Sequence, residues 1–105
     1  MKALRISTIG TRQPVTISGE TIAAQNECIR NFLGGLFEPV TISPGAVMLV
    51  DEDGLIKRLA YNSAASAIAE QDIVGPALIV GVRDVGGGEL AFGDCPREYL
   101  EGKIC

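Results

Sequence analysis

Apolar and polar positions along the chain fall into short segments of two different periods. Leu4 and Ile6 recur at a spacing of two within residues 1–9, and Val15 and Ile17 alternate around Thr16 within 13–18. These segments predict the two strands of a hairpin turning at Gly10-Thr11-Arg12. The period then lengthens. Ile22, Ile29, Phe32 and Leu33 fall on one side of a helix, with Cys28 at its edge. Ser18 can cap its start, Glu20 suits its first turn, and Gly34-Gly35 ends it. Residues 36–42 and 46–50 read as strands around a Ser43-Pro44-Gly45 turn.

Asp51-Glu52-Asp53-Gly54 predicts a tight turn from which residues 55–60 return as another strand. Asn62 is a good N-cap for a short helix over 63–70, whose buried face is Ala64, Ala67 and Ile68. Residues 77–82, a continuous β-branched and aliphatic run, predict a central strand, with Pro76 tolerated at its start. Residues 90–92 suggest an edge strand. A last helical turn over 96–100 can be capped by Asp94 or Cys95. The order predicts a single α+β domain over 1–105: a mostly antiparallel sheet of about five to seven strands with two helices packed on one face.

Composition adds exclusions. Hydrophobic residues make up 47% of the 105 positions but aromatics only 5%, so the core is aliphatic and disorder is not expected. Thirteen Asp and Glu against nine Lys and Arg give a net charge of −4. That disfavours direct nucleic-acid binding through phosphate neutralisation. The three cysteines, Cys28, Cys95 and Cys105, have no paired spacing, which disfavours a disulfide framework or a zinc ribbon. Neither a signal peptide nor a membrane-spanning run is visible, so a cytoplasmic protein without membrane association is expected. Histidine is absent, which removes histidine-based catalytic relays and the commonest metal ligand. No cofactor and no metal are expected.

Candidate chemistry is correspondingly thin. Asp51-x-Asp53-Gly54 matches only the start of a calcium loop: glycine stands fourth rather than sixth, and position twelve is Asn62. A solvated turn is the simpler reading. Gly86-Gly87-Gly88, with Arg83 nearby, reads as a flexible loop or as a backbone nest for phosphate; no Lys-Ser/Thr follows, so it is not a P-loop. Cys95-Pro96-Arg97 could activate a thiol at a helix start. Tyr61, Asn62 and Ser66 read as a polar contact surface or as a cap with an exposed helix face. Arg12, Lys57 and Arg58 could meet an anionic ligand or an acidic partner, or be ordinary surface charge.

Several of these strings together resemble a family met mainly in phages and conjugative elements, domain of unknown function 3846. They are Gly34-Gly35-Leu36-Phe37-Glu38-Pro39-Val40; Val50-Asp51-Glu52-Asp53-Gly54 with Lys57 and Leu59 beyond it; the asparagine-led helix from Asn62 to Ala69; and Ile73-Val74-Gly75 with Leu78-Ile79-Val80. The resemblance spans roughly residues 28–82 and carries no catalytic residues. It implies a small phage-type accessory protein, non-enzymatic, that binds and inhibits a host protein in the host cytoplasm, such as an anti-restriction or anti-CRISPR component. Two alternatives stay open: a sponge that sequesters a small nucleotide signal, and an assembly protein acting as a homodimer or higher oligomer. An enzyme is not expected, since Cys95 or the pair Glu98 and Glu101 would have to work without histidine.

Overall fold

The computed structural model describes residues 1–86 and 89–100. Six strands among them form one sheet: β1 (Lys2–Ile6), β2 (Arg12–Thr16), β3 (Phe37–Ser43), β4 (Ala46–Asp51), β5 (Ala77–Gly86) and β6 (Glu89–Gly93). The helices are α1 (Ile22–Leu33), α2 (Ser63–Ala69) and α3 (Arg97–Leu100). Strand order is β2-β1-β5-β4-β3, every pairing is antiparallel, and β6 pairs with the distal half of β5. The chain is thus the α+β, antiparallel protein its sequence predicts.

The helices, however, cover both faces of the sheet, which corrects the expectation of one. Ala46, Met48 and Val50 of β4 join Ala77 and Ile79 of β5 in a cluster closed by Ala65 of α2 and Tyr99 of α3. Val47 and Leu49 point the other way and join Leu78 and Val80 in a cluster closed by Ile29 and Leu33 of α1. The physical reason is written in the central strands. Ala-Val-Met-Leu-Val and Ala-Leu-Ile-Val are unbroken apolar runs, the pattern of strands with no solvated face. Residues 46–51 and 77–81 are all buried, and complete burial of one such aliphatic side chain is worth about 1.5–3 kcal/mol.

Helix α1 begins later than Ser18. Thr21 is its cap, with Oγ1 accepting from the Ala24 N–H at 3.1 Å. Ile22 shares the helical phase of Ile29, yet it is 77% exposed because the first turn lies beyond the cluster that Ile29 and Leu33 complete. Gly34 ends the helix at φ 88°, its N–H bonding the Arg30 carbonyl at 2.7 Å. A side chain is strained in that left-handed conformation, which is why glycine stands there.

Residues 55–60 do not form the expected strand. They continue a series of turns over 52–58, followed by a single bridge between Tyr61 and Val74. Leu55-Ile56-Lys57-Arg58 lacks period-two alternation, so a one-sided strand could not bury its apolar pair.

The two edges that end the strand order each carry a proline inside the strand: Pro14, opposite Leu4, in β2 and Pro39, opposite Leu49, in β3. Proline cannot donate to a further strand, and natural sheets use it to block edge-to-edge growth. Replacing both by threonine restores a donor to each edge. The variant is expected to self-associate at concentrations where the parent does not, as read by sedimentation velocity.

Candidate binding surface

The loop over 52–58 is held by its own side chains. Asp51, buried at the end of β4, accepts the Asp53 N–H on Oδ1 at 2.8 Å and the Lys57 ammonium on Oδ2 at 2.8 Å. Lys57 also reaches the Gly34 carbonyl at 3.2 Å, which ties the loop to the end of α1. Backbone bonds from Gly54 to Asp51, Lys57 to Asp53, Arg58 to Leu55 and Leu59 to Gly54 complete the turns. Arg58 takes the left-handed φ of 56° that reverses the chain. Gly54 is required for space, since a Cβ there would meet the Val74 side chain at 2.8 Å.

This frame presents two aliphatic side chains to solvent, Leu55 at 81% and Ile56 at 82% exposure. Leu36, also exposed, is adjacent, because the Glu52 N–H bonds its carbonyl. Beneath Leu55 is a cleft of about 100 Å³ with Val40 and Val74 in its wall and Glu38, Glu52 and Asp72 around it. The surface is therefore apolar at its tip, with acidic side chains around the cleft and the exposed Arg58 in the same loop. The sequence reading missed Leu55 and Ile56 by placing them in a strand. Their lack of alternation was the signal available.

The residues singled out from sequence do not converge on one site. Lys57 is committed to Asp51 and Gly34, while Arg58 lies exposed in the same loop. Tyr61 is exposed, its hydroxyl donating to Asp72 at 3.4 Å. Asn62 and Ser66 are buried and structural. Asn62 Oδ1 caps α2 by accepting from the Ala65 N–H, while Nδ2 donates to the Ile6 and Gly75 carbonyls at 3.0 and 2.9 Å. Ser66 Oγ accepts from the Ile73 N–H at 2.8 Å and donates back to the Ile73 carbonyl at 3.3 Å. The contact-surface reading therefore fails for these two, and the exposed helix face does not include Ser66. Arg12 stands on the far edge strand, opposite Ile6. Arg83 is exposed on β5 beyond Gly81, at the other end of the sheet from the loop. Gly86 pairs with Glu89, whereas Gly87 and Gly88 lie outside the described residues, as do Glu101 and Cys105.

Cys95 is not the activated thiol its setting suggested. It is buried, and burial pushes it from 9.0 up to about 11; nearby Glu98 adds to the rise, while a backbone hydrogen bond from Leu4 offsets part of it. At neutral pH the nucleophilic thiolate is scarce. Because the folded-state value is raised, this group's stabilising contribution is complete below pH about 9 and is lost as pH rises toward 11. The stability difference between the parent and Cys95→Ala should accordingly shift against the parent across that window in urea titrations. In the folded protein a thiol reagent should modify the half-buried Cys28 well before Cys95.

Among the described residues no group of three or more Cys, Asp or Glu gathers to hold a metal ion. No helix among them is long and apolar enough to cross a membrane. No buried side-chain nitrogen or oxygen among them lacks a hydrogen-bond partner.

No curated protein and no solved structure matches the chain significantly. A family model described as Domain of unknown function (DUF3846) matches residues 1–100, well beyond the 28–82 in which the resemblance was legible, and with nearly the whole chain covered the protein belongs to that family.

Proposed function

We propose that this is a non-enzymatic binding protein that blocks a host protein by occupying its surface, with the 52–58 loop as the centre of contact. The observation that carries this reading is the pair Leu55 and Ile56, exposed at 81% and 82% on a loop pinned by the Asp51–Lys57 ion pair. Exposed aliphatic side chains on a mobile loop lose much of their binding energy to ordering. On a fixed loop that cost has already been met in folding. The rim of Glu38, Glu52 and Asp72 selects the partner's chemistry: a segment with one or two apolar side chains flanked by Lys or Arg. The family resemblance to phage and mobile-element proteins supports reading this chain as a small accessory protein that acts by stoichiometric binding.

The test pairs the parent with a Leu55→Asp, Ile56→Asp double variant. Neither side chain is buried, so the variant should melt within a few degrees of the parent. Tagged protein is incubated with host lysate, cross-linked and analysed by mass spectrometry. The expected result is a stoichiometric partner whose cross-links join the loop to a basic segment, whose binding weakens with salt, and which the double variant fails to hold. Equal recovery by both proteins, or contacts elsewhere on the surface, contradicts the proposal.

A further inference from the structure

We infer that a second copy of this chain covers the end of the sheet that carries the 52–58 loop, so that the free protein is a two-fold dimer in which each copy masks the other's loop. The masking rests on the proposed role of that loop; the dimer does not. Six large apolar residues are exposed among the described ones, and five of them stand at this end: Ile9, Leu36, Leu55, Ile56 and Tyr61. The strand pairing places them there. Ile6, Ala77, Val50 and Glu38 form one row across four strands. Ile9 lies in the turn beyond Ile6, Leu36 precedes β3, and Leu55 and Ile56 follow β4. Tyr61 is carried by Asn62, whose amide bonds the Ile6 and Gly75 carbonyls. Its hydroxyl donates to Asp72, which lines the cleft beneath Leu55. Strands lie about 4.8 Å apart, so the row from β1 to β3 spans roughly 14 Å. Ile22, the sixth, starts α1, and it is the opposite end of that helix that Lys57 ties to the loop.

This end has the apolar area that a dimer needs. A side chain of this size presents roughly 60–120 Å² of apolar surface, so five present on the order of 400 Å². A standard interface buries about 800 Å² on each partner, a little over half of it apolar, which is about the same amount. The largest apolar patch on a soluble protein, of this order, is often a functional contact.

The charges identify the occupant. Glu38, Glu52 and Asp72 are exposed at this end, and so is Arg58, which forms no ion pair among the described residues. Lys57 is committed to Asp51. A surface with acids and an unpaired guanidinium side by side is its own complement. A two-fold axis through the tip sets Arg58 of each copy against the acids of the other, so every favourable contact is made twice. Without that cation the two acidic rims would only repel. The match is nonetheless modest, with one loop cation facing three acids. A host segment bearing several Lys or Arg satisfies more of them, so it displaces the copy and a one-to-one complex replaces the dimer. The dimer is thus a resting form that keeps the apolar tip out of water until the partner arrives.

The purified full chain, without lysate, is followed by sedimentation velocity from micromolar to millimolar concentration. The parent should pass from monomer to dimer, and the dimer should weaken as salt is raised. Ile56→Asp and Arg58→Glu should each raise the dissociation constant about tenfold or more. Both side chains are exposed, so both variants should melt close to the parent. Ile22→Asp, at the far end of α1, should leave the dimer unchanged. A parent that stays monomeric at millimolar concentration, a dimer that either tip variant leaves intact, or one that Ile22→Asp disrupts equally would overturn the inference. Each of those results leaves the proposed host contact standing. A dimer formed as expected, with no host partner captured, would overturn that contact alone.

Discussion

Asn62→Ala is expected to remove about 4 kcal/mol of stability, from the loss of an N-cap (~1 kcal/mol) and the stranding of buried carbonyls at ~1–3 kcal/mol each. Asn62 is fully buried, and one side chain joins three elements. Its oxygen starts α2, and its amide nitrogen bonds the end of β1 at Ile6 and the approach to β5 at Gly75. Alanine leaves the Ile6 and Gly75 carbonyls without this donor in a place water does not reach. A chain of this length has roughly 5–15 kcal/mol in total, so the loss should lower the melting temperature by roughly 15–30 °C. Asn62→Asp separates the two roles. It keeps the cap acceptor and the shape but turns both donors into an oxygen facing carbonyl oxygens. It should be at least as unstable as the alanine variant at neutral pH, read by thermal denaturation. An Asp variant as stable as the parent would mean that the two amide bonds contribute nothing.

Gly81→Ala is expected to cost about 3 kcal/mol, at the upper end for an overpacked site, because what gives way is backbone rather than a side chain. The added methyl would be driven into the Asp94 carbonyl and towards Gly93. Asp94 is itself fixed, holding the Lys2 N–H on its side chain, and the next residue, Cys95, donates its N–H to the Lys2 carbonyl. Relief therefore requires the β5–β6 ladder to open at Gly81 and Gly93. Urea denaturation should read the loss, and amide exchange in residues 91–93 should quicken. Gly93→Ala, one rung across, meets nothing within 4 Å and should change stability little. That contrast distinguishes a steric requirement from a general cost of replacing strand glycines.

What could be read from the sequence follows the range of each interaction. The cap role of Asn62 was legible because capping is local: the asparagine and the helix it starts are adjacent. Its amide bonds were not, because the partners stand 56 and 13 positions away. The central strands were legible as apolar runs, and their unbroken character already implied two covered faces. Element order alone does not say which face a helix covers; that depends on which side each strand residue points to, and the alternation within 46–50 and 77–80 sends α1 to one face and α2 to the other. The turn at 51–54 was legible from Asp and Gly, but the side-chain bonds of Asp51 extend it to 58 and replace the expected strand. The clefts were not legible at all. A second one, beside Arg83, draws Gln25, Gly45 and the 92–94 stretch from three separate segments, and nothing local to any of them marks it.

The central claim is that the chain works as a binder through the fixed apolar tip of residues 52–58. Native mass spectra of the repurified protein after exposure to host lysate test it most directly, with the parent and the Leu55→Asp, Ile56→Asp variant run side by side. The account predicts an added polypeptide at one-to-one stoichiometry on the parent and its loss from a folded variant. A parent that returns bare, or a polypeptide held equally by both proteins, would contradict it.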